Sequence, residues 1–187
     1  VFHEIASPDI HVDIFIVEPT AERNYYTLVT SGMGAHRMNV PKELAEYKLE
    51  RAEIVVYLPA DWNISDHEEK NYWPLRWLKI LARLPLEEDS WLGWGHSVPN
   101  GKPYAENTQL SSVLLINPEN VEEGAAVCQL PNGEEVNFYQ MIPLYEEEVN
   151  FKIQNGAETL LGKMGEISAV VDIHRLNVCE GFGRPKE

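Results

Sequence analysis

Residues 75–84 are apolar on almost every side of a helix. The only polar side chains in this segment lie along one stripe, three and four residues apart: Arg76, Lys79 and Arg83. A helix with this pattern has to be covered on most of its surface. Because the chain has 187 residues and 44% of them are hydrophobic, it can form a core large enough to cover such a helix.

Several segments have the pattern of β-strands that would supply this cover. In residues 11–17, Val12, Ile14 and Ile16 alternate with the other side chains, which is the period of two of a half-buried strand. The composition of residues 25–30, 53–58 and 111–116 also favours strands. The turn that follows residues 25–30 contains Gly32 and Gly34. A dinucleotide-binding fingerprint would need a third glycine at Arg37, so we interpret the two glycines as turn residues.

An Asn-Gly turn joins two further strand-like segments. Residues 126–130 and 135–141 lie on either side of Asn132-Gly133, which predicts a β-hairpin. Because strands and helices interleave irregularly and one pair is a hairpin, we predict an α+β (mixed α/β) fold. It is expected to be a single domain, residues 1–180, with a mixed central sheet and helices packed on it. Residues 181–187 are expected to form a loose tail.

The helices are predicted from caps and from spacing. Ser65 and Glu68 have the spacing of a capping box, so a helix should start there and be interrupted or restarted at Pro74. A short helix should follow Pro41, with three residues on its inner face: Leu44, Ala45 and Leu49. Residues 144–163 predict one long helix, with an inner face formed by Tyr145, Val149, Ile153, Ala157, Leu160 and Met164. Residues 167–173 fit either a strand or a short helix.

Charge limits the class of partner. Thirty acidic and fifteen basic residues give a formal net charge of −15, which repels phosphate groups. The charge therefore argues against nucleic acid and anionic membranes and favours a basic protein or peptide as the kind of partner, although solubility alone is the simpler explanation of an acidic chain. No apolar run reaches the length of a membrane span and no signal peptide is evident. We expect Cys128 and Cys179 to be reduced, buried thiols of a cytoplasmic protein.

Five segments, taken in order, resemble the suppressor-of-fused domain family. They are residues 11–14 (HVDI), 28–34 (LVTSGMG), 94–96 (WGH), 99–101 (PNG) and 138–148 (FYQMIPLYEEE). The resemblance extends over residues 1–163, and it depends on the whole set because no single segment is a catalytic signature. It identifies the chain as similar to a bacterial member of the family.

The resemblance implies a binding role. Animal members are cytoplasmic regulators of Hedgehog signalling that sequester Gli-type transcription factors by clamping a peptide strand between two lobes. This chain resembles only the amino-terminal lobe. Bacterial relatives have been proposed as immunity proteins that neutralise toxin domains. The resemblance therefore implies a protein that binds a partner protein, is not an enzyme and needs no cofactor.

Seven residues are candidates for contact with the partner: Asp13, Trp94, His96, Tyr139, Glu146, Glu147 and Glu148. A Trp on a glycine-containing loop suits an interface anchor, although the same residues also suit a core plug. The three glutamates fit the first turn of a helix, where they would also face a cationic partner. Tyr139 enters through the resemblance.

The alternative is a metal-assisted hydrolase. Imidazole and carboxylate groups are ordinary metal ligands, and His11, Asp13 and His96 would supply them. Their spacing matches no zinc signature, and a His–Asp hydrogen bond that orders the sheet surface is the simpler explanation of the first two. We therefore assign no catalytic residue and no metal ligand.

Overall fold

A computed structural model describes Val1 and residues 10–119, 121–122, 124–165 and 169–183. Seven strands form one sheet: β1 Asp13–Val17, β2 Tyr25–Ser31, β3 Ala52–Pro59, β4 Ser97–Pro99, β5 Ser112–Ile116, β6 Val127–Gln129 and β7 Glu135–Leu144. Three α-helices accompany them: α1 Glu69–Glu87, α2 Glu146–Asn155 and α3 Ala157–Met164. Two 3-10 helices span Met33–Ala35 and Lys42–Tyr47. No helix in these ranges is both long enough and apolar enough to cross a bilayer.

The sheet is organised around β7, and its order is β1-β2-β3-β7-β5-β4. Residues 137–140 of β7 pair in parallel with β3. Residues 140–144 pair antiparallel with β5, and β6 pairs with the first part of β7 as the predicted hairpin. The remaining named pairs are antiparallel, so the sheet is mixed and the predicted fold class is confirmed.

Successive residues of each strand pack on opposite faces of the sheet. In β3, Ile54 and Val56 belong to the main core beneath α1, whereas Val55 and Tyr57 face the other side. Helices α2 and α3 cover that other side over β5 and β7, in a second cluster: Leu114, Ile116, Ile142, Leu144, Val149, Leu160 and Met164. Helices therefore flank both faces of the sheet, as expected for strands this apolar.

Helix α1 continues through Pro74 and Pro85, so the predicted interruption is wrong. Pro74 has no N–H group to donate to the carbonyl of Lys70. The side-chain amide of Asn107 donates to that carbonyl at 3.4 Å instead. A residue distant in sequence thus supplies the hydrogen bond that the proline cannot make.

The start of α1 was also predicted too early. The helix begins at Glu69, four residues after Ser65, and has no side-chain cap at its N-cap residue. Asp66 orders the preceding turn, because its carboxylate accepts the N–H of Glu68 at 2.9 Å and the side-chain amide of Asn71 at 2.7 Å. These two bonds also hold the pKa of Asp66 below its usual value.

The single helix predicted for residues 144–163 is two helices. The chain breaks at Gly156, whose φ of 89° is outside the helical range, and α3 begins at the next residue. Ile153, which was predicted on the inner face, is 70% exposed. The helix predicted after Pro41 is the 3-10 helix Lys42–Tyr47, in which no residue is buried.

The carboxyl-terminal part of the described chain packs against the sheet. Val170 forms a parallel bridge with Tyr57, and the ring of Phe182 meets that of Phe151 at 5.1 Å. Residues 166–168 and 184–187 lie outside the described residues, and the predictions for 167–173 and 181–187 fall partly on them. Both cysteines are free, but only Cys179 is buried; the prediction that Cys128 is buried is wrong.

A buried carboxylate that the sequence did not reveal holds the glycine turn after β2. Glu53 is 7% exposed and accepts three hydrogen bonds, from the Thr30 hydroxyl at 2.6 Å and from the backbone N–H groups of Gly32 and Gly34, both at 2.9 Å. Gly32 has a φ of 123°, a conformation that favours glycine. Glu53 therefore fixes the turn onto the neighbouring strand.

Replacing Glu53 by alanine is expected to destabilise the fold. Glu53→Ala leaves the N–H groups of Gly32 and Gly34 without their acceptor, at a cost of about 3 kcal/mol in the free energy of unfolding. The exposed Glu46 gives a matched control, since Glu46→Ala should change stability by less than about 0.5 kcal/mol. Urea denaturation measures both, and equal losses would contradict the role of Glu53.

Candidate partner-binding groove

The two histidines of the predicted metal site lie at opposite edges of the sheet. His11 precedes β1 and its Nε2 lies 3.1 Å from Asp13 Oδ1, whereas His96 directly precedes β4. Five strand-to-strand steps separate these edges, which corresponds to about 24 Å. Among the described residues, no group of three His, Cys, Asp or Glu side chains is placed to hold a metal ion. The three-residue metal site behind the hydrolase alternative is therefore wrong.

The loop before β4 separates its two tryptophans. Trp91 is partly buried against the main core, and its ring meets the ring of His96 at 4.3 Å. Burial lowers the pKa of His96, and the charge of Lys152 acts in the same direction. Trp94 is 41% exposed and lines a pocket of about 330 Å³ beside α3. Trp91 thus serves the core, while Trp94 remains accessible.

The three glutamates at the start of α2 have different surroundings. Glu148 is fully buried and receives the guanidinium of Arg175, with Nη1 at 2.6 Å from Oε1. Glu147 is 8% exposed and accepts the side-chain amide of Asn177 at 3.0 Å. Glu146 is exposed. Of the three, Glu146 is therefore the one most open to a partner.

Arg175 joins the segment after α3 to the start of α2. Besides Glu148, its guanidinium donates to the carbonyl of Pro143 at 2.8 Å and lies 5.0 Å from the centre of the Tyr145 ring. The Tyr145 hydroxyl donates in return to the Arg175 carbonyl at 2.6 Å. Glu148 also accepts the backbone N–H of Val178 at 3.1 Å. Sequence reasoning missed Arg175 because no local pattern connects positions that are 27 residues apart.

A groove of about 790 Å³ opens beside this ion pair. It lies between α2, β4 and the segment after Arg175, and its charged lining residues are Lys102, Glu146, Glu147, Arg175 and Glu180. Since Glu148 already neutralises Arg175, the remaining lining is net acidic. Two apolar side chains on the lining stand out in solvent, Leu176 at 85% and Ile153 at 70% exposure. The groove therefore offers both acidic and apolar contacts.

Strand β4 gives this groove an open sheet edge. The His96 carbonyl accepts from Leu115 of β5, and the Asn100 N–H donates to Ser111. Because backbone groups alternate along a strand, the N–H and carbonyl of Ser97 point away from β5. No strand among the described residues pairs with that side of β4. An extended segment of another protein can therefore hydrogen-bond to Ser97.

The other predicted contact residues are not part of this groove. Tyr139 is 4% exposed within the core, where burial raises the pKa of its hydroxyl to about 12. Asp13 lies at the far edge of the sheet. The groove thus brings together Glu146 and Glu147, with His96 directly before its β4 edge.

The chain is similar to a known protein family and to a bacterial protein along most of its length. The family model described as Suppressor of fused protein (SUFU) matches residues 8–176. An uncharacterized protein of Ureaplasma parvum serovar 3 is 27% identical over 167 residues, which cover 89% of this chain and 78% of that protein.

Three solved structures have a similar fold. A SUFU homolog from Neisseria gonorrhoeae has a TM-score of 0.68 at 19% identity, over 95% of this chain and 85% of that one. The structure of a Sufu-Fu complex has a TM-score of 0.63 at 14% identity, over 90% of this chain and 77% of that one. Drosophila Suppressor of Fused has a TM-score of 0.62 at 15% identity, over 90% of this chain and 42% of that one. At these identities the similarity shows a shared fold.

Removing the charge of Arg175 should destabilise the protein strongly. Arg175→Met leaves the Glu148 carboxylate buried without its partner, which costs about 3–5 kcal/mol of the free energy of unfolding. The matched control is Arg37→Met, because Arg37 is an exposed arginine paired with Glu134 and should cost at most about 1 kcal/mol. Chemical denaturation measures both variants, and a loss below about 1 kcal/mol for Arg175→Met would show that the pair is not needed.

The lowered pKa of His96 predicts a loss of stability in acid. The unfolded chain takes up this proton near pH 6.5, before the folded protein does, so the contribution of His96 is complete above about pH 6.5 and falls as the pH falls below it. Between about pH 7.5 and about pH 5.5, His96→Asn should therefore lose less stability than the wild type. The matched control is His36→Asn, because His36 is an exposed histidine and its substitution removes no buried imidazole. Identical losses in all three proteins would refute the assignment.

Proposed function

Because the chain belongs to the suppressor-of-fused family, whose model matches residues 8–176, we propose that it acts by binding another protein. The observation that supports this role is the match to the family, together with the similar fold of Sufu in a complex with Fu. A fold that binds a partner in one relative is suited to the same general role in another, although only the site decides which partner is bound.

The groove beside β4 is the proposed binding surface. An extended segment of the partner adds to the open edge of β4 and hydrogen-bonds to Ser97, as in other cases of strand addition. Cationic side chains of this segment face Glu146 and Glu180, and apolar ones pack on Leu176 and Ile153. Both the shape and the charge of the groove therefore favour a basic, extended segment.

We propose a sequestering or immunity-type role in the cytoplasm, with a basic toxin domain or peptide as the partner. The net charge of −15 supports this choice, since an acidic protein attracts a basic one over long distances and speeds their encounter. The chain covers 42% of Drosophila Suppressor of Fused, so the activity of that whole protein is not transferred. The proposed groove is formed within this chain, by the edge of the sheet, helix α2 and the segment that begins at Arg175.

Reversing two charges in the groove should weaken partner binding. The partner is first isolated by co-purification with the tagged chain, with the neighbouring genes co-expressed, and is then purified. We expect Glu146→Lys combined with Glu180→Lys to raise Kd about tenfold or more at about 50 mM NaCl, and much less at about 500 mM. The control reverses two exposed glutamates outside the groove, Glu22→Lys with Glu43→Lys, and should change Kd by less than about threefold.

The contribution of the sheet edge can be measured separately. Ser97→Pro removes an N–H group that points away from β5, whereas Ser97→Ala keeps it. Binding should be lost in the first variant and retained in the second. The partner does not occupy this groove if the two double charge-reversal variants weaken binding equally and Ser97→Pro binds normally.

A further inference from the structure

Strand β1 is the other outer strand of the sheet among the described residues, and after Asp13 at its start it lacks the usual protection of an edge. Exposed edges are commonly blocked by charges, prolines or bulges. Residues 14–17 have neither a charge nor a proline, and β1 pairs with β2 in continuous register. On one face of this strand Phe15 is 44% and Val17 46% exposed. Such an edge is suited to pair with another strand.

The hydrogen bonds of β3 show which of its backbone groups face β7. The carbonyl of Arg51, next to β3, accepts from Asn137 of β7, and the carbonyl of Tyr57 accepts from Val171 on the same side. Since successive residues direct these groups to opposite edges, odd-numbered residues of β3 face β7 and even-numbered ones face β2.

The registers extend this alternation to the outer strand. In the β2–β3 register Leu28 is opposite Val56, so even-numbered residues of β2 face β3 and odd-numbered ones face β1. Phe15, which is opposite Val29, therefore bonds to β2. The N–H and carbonyl groups of Ile14 and Ile16 point out of the sheet edge.

We propose that this edge pairs antiparallel with β1 of a second copy of the chain, with Phe15 at the two-fold axis. Ile14 then lies opposite Ile16 of the second copy, and the two symmetric pairs form four backbone hydrogen bonds. Phe15 faces its own equivalent at a position without hydrogen bonds, where the side chains of paired strands are closest. The two sheets become one continuous sheet.

The sequence of β1 favours a second copy of the chain as the partner at this sheet edge. The order Ile14-Phe15-Ile16 reads the same in both directions, so a two-fold axis at Phe15 matches each side chain to its equivalent. In this register Asp13 is opposite Val17 rather than another carboxylate. The exposed face of Phe15 becomes covered by Phe15 of the other copy, and Val17 lies diagonally beside that same ring.

The dependence on salt distinguishes this interface from the groove. Each copy has a net charge of −15, so long-range repulsion opposes dimer formation and added salt weakens that repulsion. Dimerisation should therefore strengthen with salt, whereas binding of a basic partner in the groove should weaken. The two surfaces lie at opposite edges of the sheet, so one can fail while the other holds.

Sedimentation velocity of the whole chain gives the first test, at about 1–100 µM protein and at about 50 and 500 mM NaCl. We expect a monomer–dimer equilibrium that shifts towards dimer at the higher salt. Phe15→Lys places two like charges opposite each other and should raise the dissociation constant at least about tenfold. Leu86→Lys makes the same change at a side chain that is 45% exposed on α1, and should leave the equilibrium unchanged.

Cysteine cross-linking tests the register. In a Cys128→Ser background, which removes the exposed native thiol, Phe15→Cys places two Cα atoms about 4.5 Å apart, within the range of a disulfide. Val17→Cys places them four residues apart along the strands, about 14 Å, which is too far. The first variant should form a covalent dimer under mild oxidation and the second should not.

Three results would overturn the proposal. One is that the whole chain stays monomeric throughout the concentration range at high salt. This holds even if the chain dimerises after deletion of residues 1–9, because that result would mean that its own amino-terminal segment occupies the edge. The second is equal dimerisation of Phe15→Lys and Leu86→Lys, with folding of both verified by circular dichroism. The third is equal cross-linking at positions 15 and 17. The cysteine pair keeps the proposal testable if Phe15→Lys fails to fold.

Discussion

The ion pair between Glu148 and Arg175 determines where the carboxyl-terminal segment of this fold lies. Its carboxylate is fully buried, so it requires the guanidinium and two backbone N–H groups, those of Tyr145 and Val178. These bonds fix the start of α2 and the segment after Arg175 at the same time. Because both elements are walls of the groove, the proposed binding surface exists only when this pair is formed.

The two outer strands of the sheet differ in their surroundings, and this difference separates two kinds of contact. Strand β4 is three residues long, and the acidic groove lies beside it. Strand β1 presents exposed apolar side chains on one face, with no charge in residues 14–17. At both edges, backbone N–H and carbonyl groups that no described strand pairs with can hydrogen-bond to an added strand. The side chains beside each edge therefore decide what it binds. Under the two proposals, the acidic edge selects a basic segment and the apolar edge selects its own copy.

Local patterns predicted most strands of the fold and missed what depends on distant residues. The alternation in residues 11–17 and the Asn132-Gly133 turn are local signals, and β1 and the hairpin agree with them. Pro74 also gives a local signal, but Asn107 compensates for it through a contact that no short pattern encodes. For the same reason the sequence showed a run of glutamates and not the partner of Glu148. His11 and His96 share a chemistry, but only the strand order shows that they are at opposite edges.

The glutamate run at the start of α2 therefore has two separate roles in the proposed function. Glu148 is inaccessible to a partner, yet it holds the wall from which Glu146 projects. Glu147 connects the two, since it lines the groove and also accepts a hydrogen bond from Asn177. Three adjacent identical residues are thus unequal because successive side chains of a helix point in directions about 100° apart. Substitutions in this run have to be interpreted residue by residue, since a loss of binding at Glu148 would follow from a displaced wall and one at Glu146 from a lost contact.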